Sequence, residues 1–302
     1  MVNETQAGVT QNVLDPTETD ALLEAVSQQL DSESFDPNDQ QVLRQMVESL
    51  GDKRGLIRLS FAEALGDIGK PAIPFLLEAL ANHPNVVVRR ASGKTLTLIA
   101  DPRAVPTLVN SLLNDEDTVV RGSVVGALAR TGEASVPALL KILASPEYTE
   151  ASKGLATWAL AFIGLEAKEY VYKEIGSDSP EVRAAVIGSI AAIAQENPEQ
   201  VAFDMLMNAL DDSVSFVRCE ATTALSNVKY RPAVPKLVEL LNNHPDWETR
   251  KASALALMKI GERSSLEPLS NALKQETEAP VLSVIKLAIS QIERLSADDD
   301  WD

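Results

Sequence analysis

A short phrase returns along this chain at nearly constant intervals. An aliphatic residue or threonine followed by arginine opens an apolar segment at Ile57-Arg58, Val88-Arg89, Val120-Arg121, Val182-Arg183, Val217-Arg218 and Thr249-Arg250. Successive arginines are 31, 32, 62, 35 and 32 residues apart, and Lys153 stands in the middle of the long gap. Val281-Leu282 continues the series. A period near 32 specifies stacked helical units rather than one globular core. Proteins built in this way are extended surfaces that hold partners.

Each period reads as two antiparallel helices. The first carries a Pro-x-Leu signature at Pro74, Pro106, Pro137 and Pro235, with a variant at Pro268. Proline is tolerated early in a helix because first-turn N–H groups have no intrahelical partner. The connecting turns are rich in Asp, Asn, His and Pro, such as Asn114-Asp115-Glu116-Asp117 and Asn243-His244-Pro245-Asp246. Such residues cap helices and favour turns. In the second helix, apolar residues fall three, seven and ten positions after the arginine, as in Phe61, Leu65 and Ile68 or Val186, Ile190 and Ile193. That spacing marks one face of a helix. Gly69, Gly132, Gly164 and Gly261 close second helices, where a left-handed cap is expected. The arginines Arg58, Arg89, Arg121, Arg183, Arg218 and Arg250 are expected to form a structural ladder. Each would bridge to a turn carboxylate of its own or the neighbouring unit. The fold class expected is all-α, a right-handed α-solenoid of about eight helical hairpins.

This unit (Asp in the turn, Val-Arg, then Ala, Ala-Leu and Ile-Gly) resembles the HEAT repeat, and more narrowly the phycobilisome lyase-type HEAT repeats of cyanobacteria. The resemblance covers about residues 38–295. It implies protein partners, either a phycobiliprotein or a second HEAT subunit. It also implies a phycobilin, an open-chain tetrapyrrole, as a ligand that is not permanently bound. The role implied is pigment attachment, pigment removal or antenna disassembly. A scaffold outside pigment metabolism, such as an iron–sulfur assembly partner, is the alternative. The family pattern is a pattern of fold and carries no catalytic residue onto this chain.

Net charge is −17, yet nine acids lie in residues 1–40 and four more at Asp298, Asp299, Asp300 and Asp302. The repeats themselves are nearly neutral, which excludes the basic stripe that nucleic-acid binding requires. The segments expected are a disordered acidic arm over 1–15, an N-terminal capping helix over 16–36, the repeats over 37–296 and a disordered acidic tail over 297–302. No signal peptide is read at the start. The longest weakly polar run, Gly154 to Leu165, is too short to cross a bilayer. One cysteine, Cys219, fits a reducing compartment and a cytoplasmic protein.

Chemistry-bearing motifs are sparse. His83 and His244 both precede proline in equivalent turns, and with one cysteine they make no metal-ligand set. HEAT-fold di-iron hydroxylases carry repeated His-Glu pairs, and this chain has none. Glycine-rich phosphate loops and a nucleophile–histidine arrangement are absent too. Two features stand out. The fourth unit lacks the Val-Arg pair and gathers Tyr148, Trp158, Phe162, Tyr170 and Tyr172, five of thirteen aromatics. Aromatic faces suit a flat conjugated ligand or a protein partner. Cys219 follows Arg218 at a helix start, which is expected to lower its pKa, and it is a candidate contact for a bilin, a metal cluster or a partner.

Overall fold

The computed structural model describes residues 14–299. The described residues hold α-helices, short 3-10 turns and no strand. Helix α1 (Pro16–Asp31) comes first. Eight successive helix pairs follow: α2 (Gln40–Ser49) and α3 (Gly55–Ile68), α4 (Ile73–Asn82) and α5 (Val86–Ile99), α6 (Val105–Asn114) and α7 (Thr118–Arg130), α8 (Val136–Ala144) and α9 (Glu150–Ile163), α10 (Lys168–Glu174) and α11 (Pro180–Glu196), α12 (Gln200–Asn208) and α13 (Ser215–Asn227), α14 (Val234–Asn243) and α15 (Trp247–Ile260), and α16 (Leu266–Gln275) and α17 (Ala279–Asp299).

The chain divides into two compact units, residues 1–139 with 148–159, and residues 140–147 with 160–302. In the first, the second helices pack in series, α3 on α5 and α5 on α7, and the first helices do likewise, α2 on α4 and α4 on α6. In the second, α11 packs on α13, α13 on α15 and α15 on α17. Each unit is thus a stretch of α-solenoid, and its core is a continuous seam between layers of helices. Phe61, Leu65, Leu76, Leu96, Leu108 and Leu128 fill the first seam, and Val186, Ile190, Leu206, Leu225, Leu237 and Leu257 fill the second. Burying one such side chain stabilises the fold by roughly 1.5–3 kcal/mol.

Local sequence explains where helices start and stop. Pro74, Pro106 and Pro235 occupy the first turn of α4, α6 and α14. The four capping glycines, Gly69, Gly132, Gly164 and Gly261, all adopt positive φ of 60° to 76°. Only glycine takes that region without a Cβ penalty. Helix α5 ends without glycine, and there Ala100 is itself left-handed at φ 52°.

Two expectations about the ends need correction. Asp15 does not belong to an unstructured arm: its carboxylate accepts from the Thr17 and Glu18 amides, and Glu18 accepts from the Asp15 amide. This reciprocal capping box fixes the start of α1. At the other end α17 runs through Asp299, three residues into the expected tail. Extending an existing helix adds a hydrogen bond for each residue fixed, without a new nucleation cost. The rest of the expected arm (1–13) and tail (300–302) lies outside the described residues. Among the described residues, no helix is long and apolar enough to cross a membrane.

Candidate functional site

The repeated arginines have both ends of their contacts defined. Arg89 donates from Nε and Nη2 to the two carboxylate oxygens of Asp115, in the next turn, at 2.9 and 3.2 Å. Its Nη1 donates to the His83 carbonyl, in its own turn, at 3.0 Å. Arg183 repeats this with Asp212 and the Ser177 carbonyl, and Arg250 with Glu276 and the His244 carbonyl. Arg218 spans the Asp212 carbonyl, the Thr249 hydroxyl and Asp246. Among the described residues Arg121 reaches neutral groups alone, the Leu112 carbonyl and the Ser152 hydroxyl. Arg58 stays in its own turn, on the Asp52 carbonyl. The residue before the arginine faces inward, and Val88, Val120, Val182, Val217 and Thr249 are all buried. The recurring pair therefore couples a core plug to a polar bridge.

Both turn histidines serve the turns. The Nδ1 of His83 accepts from the Asn85 amide at 3.0 Å, and the Nδ1 of His244 from the Asp246 amide at 3.1 Å. With Nδ1 an acceptor, the neutral His83 ring carries its proton on Nε2, 3.2 Å from a Glu48 oxygen.

The aromatic residues of the fourth unit have unequal settings. Tyr148 and Trp158 belong to the first compact unit, and Phe162, Tyr170 and Tyr172 to the second. Trp158 is 58% exposed and Phe162 62%. Tyr170 is exposed, whereas Tyr148 and Tyr172 are half-buried. Tyr170 and Tyr172 do not share a face, since residues two apart on a helix point in different directions. The Tyr172 hydroxyl is buried and has no hydrogen-bond partner among the described residues. Burial pushes its pKa up, against the pull of the Lys168 ammonium. That ammonium lies 5.5 Å from the ring centroid and 2.5 Å from Glu199.

Cys219 departs from its expectation. The thiol is half-buried, and burial pushes its pKa up, with the Asp246 carboxylate adding to the effect. These outweigh the neighbouring Arg218, whose guanidinium is turned to Asp246 and Thr249. The direction of the shift is opposite to the activation that a helix start and a neighbouring arginine would give. Iodoacetamide at pH 7 is expected to alkylate it more slowly than a free cysteine peptide. A faster rate would contradict the assignment.

One residue outside every sequence motif stands out in the second unit. Glu220, half-buried on α13, has its pKa raised by burial. Its signal lies in register: the position two after each ladder residue holds Ser60, Ala91, Ser123, Leu155, Ala185, Ala252 and Val284 in the other repeats. A charge there is exceptional.

The fold and the arginine bridges define a class of protein, the helical-hairpin repeat array. Models of HEAT repeats match residues 73–161, 170–243 and 203–290, and that of the PBS lyase HEAT-like repeat matches 57–82. The chain belongs to the HEAT-repeat family and, within it, to the phycobilin lyase-like group. The bilin biosynthesis protein MpeU of Synechococcus sp. (strain WH8020) is 37% identical over 292 residues, 96% of this chain and 98% of its own length. Deoxyhypusine hydroxylase of Phaeosphaeria nodorum is 35% identical over only 85 residues, 28% of this chain and 26% of its own. The solved karyopherin Kap121p, bound to the extreme C-terminus of the protein phosphatase Cdc14p, aligns with 92% of this chain and 38% of its own, with a TM-score of 0.57 at 14% identity. That likeness is one of fold.

Proposed function

We propose that this chain is a phycobilin lyase-like protein that engages phycobiliproteins or their bilin chromophores, in attachment, removal or antenna disassembly. The observation that carries the proposal is the end-to-end identity with MpeU, which spans nearly all of both chains. The exposed rings of Trp158 and Phe162 add support, because they offer flat apolar area to a conjugated ligand or a protein surface. A phycobilin is the ligand of this reading. A phycobiliprotein, or a second HEAT subunit acting jointly, is its protein partner.

Visible absorbance tests it. Purified protein mixed with free phycocyanobilin is expected to shift and sharpen the pigment band. Binding to a phycobiliprotein without any pigment change would instead favour an adaptor for antenna assembly. Binding to neither would end both pigment readings. Trp158→Ala is expected to weaken pigment or phycobiliprotein binding several-fold while stability changes by about 0.5 kcal/mol or less, as for most exposed positions. Unchanged binding would remove this ring from the site.

A further inference from the structure

Glu220 is a carboxylate without a counterpart. Among the described residues no hydrogen bond or ion pair reaches it, although it is half-buried and its repeat-register equivalents are small or apolar. Leaving a partly desolvated carboxylate unpaired is destabilising. Its carboxylate lies over a gap in the neighbouring helix. A Cβ built on Gly188 of α11 would stand 3.8 Å from Glu220 Oε1, and no other neighbouring group comes within 4 Å of it. The register of Gly188 carries Glu63, Lys94, Trp158, Leu255 and Leu287 in five other repeats, and the small residues Gly126 and Thr223 in the remaining two. Glycine leaves this place without a side chain of its own, and the Glu220 carboxylate is the neighbouring group that lies over it. Phe216 is one turn before Glu220, hence on the same side of α13, and its ring is 47% exposed. Ala184, one turn before Gly188, continues the small-residue floor.

A small-residue floor, an exposed ring at its edge and a lone acceptor above it suit a flat ligand that brings N–H donors. An arginine or lysine side chain from a partner protein would also satisfy the carboxylate. An arginine would also stack its planar guanidinium on the Phe216 ring, so the choice of pigment follows from the bilin-handling reading, and binding of a bilin-free subunit tells the two apart. We propose that Glu220, above Gly188 and beside Phe216, anchors the pyrrole N–H groups of an open-chain tetrapyrrole. This rests on the bilin-handling reading above.

The test uses the full-length protein, free phycocyanobilin and a bilin-free phycobiliprotein subunit. Glu220→Gln keeps the shape but removes the charge that strengthens such hydrogen bonds, so pigment affinity is expected to fall about tenfold or more. The same substitution is expected to raise the thermal midpoint, since a charge without a partner is removed. A merely structural carboxylate would do the opposite. Gly188→Leu, a residue that the register accepts at Leu255, is expected to fill the place beneath Glu220 and abolish pigment binding with the fold intact. Unchanged pigment affinity in E220Q would overturn the anchor and leave the bilin-handling reading standing. A lowered midpoint in E220Q would also overturn it, by revealing an internal partner. Weakened binding of the bilin-free subunit alone would assign Glu220 to a basic side chain of the protein partner instead. Failure of the unaltered protein to bind pigment would overturn the anchor and the pigment reading together.

Discussion

Arg89→Ala is expected to cost the protein about 3–5 kcal/mol, the usual penalty for removing one partner of a buried ion pair. The side chains of Arg89 and Asp115 are only 10% and 7% exposed. Removing the guanidinium strands Asp115 with one remaining hydrogen bond, from the Asp117 amide, and leaves the His83 carbonyl short of a donor. Arg89→Lys is expected to recover only part of the loss, because an ammonium cannot reproduce the two parallel bonds. The contrast is Arg44, whose pair with Glu78 is 3.5 Å long and exposed on both sides. Arg44→Ala should cost about 0.5 kcal/mol or less. Urea unfolding of the three variants decides the matter, and equal midpoints for Arg89→Ala and Arg44→Ala would refute a stabilising ladder.

Acid is the second large perturbation. Glu276 accepts from Arg250 at 2.7 and 3.0 Å and from the Thr277 and Glu278 amides at 2.9 Å each, with 5% of its side chain exposed. The Arg250 guanidinium holds its pKa down at about 2, against an ordinary 4.5. Since the folded value is depressed, the unfolded chain takes up the proton first as pH falls. The stabilisation is complete above about 4.5 and is lost as pH falls through about 2. At about 1.4 kcal/mol per pH unit it amounts to about 3 kcal/mol. Glu276→Gln should therefore be less stable than the unaltered protein at pH 6 and nearly equal to it near pH 2. Parallel stability curves across that range would count against the bridge. Asp117, held down to about 2 by Arg90, adds to the acid sensitivity in the same direction.

The repeat was legible because its determinants are local. Proline in a first turn, glycine after a last turn and an apolar face at helical spacing act within a few residues, and the structure places Pro74 and Gly261 accordingly. What escaped depends on the neighbouring repeat. The thiol of Cys219 is dominated by burial and by Asp246, which is 27 residues further on, so its own flanking residues mislead. The neutral bridge from Arg121 to Ser152 likewise joins positions 31 apart. Tyr170 and Tyr172 are close in the chain, and such proximity says nothing about helix face. Glu220 was hidden for the opposite reason: a glutamate in a helix is unremarkable until its register is compared across repeats.

The arginine bridges also bear on how the chain acquires its structure during synthesis. Those from Arg89, Arg121, Arg183, Arg218 and Arg250 join residues only 26 to 31 positions apart. No bridge has to wait for a distant part of the polypeptide, so the entropy of loop closure stays the same however many repeats follow. Contacts of such short range favour rapid folding. Each hairpin can dock on the one before it as soon as it leaves the ribosome, and the polypeptide can be completed from its amino end without exposing a large unfinished core.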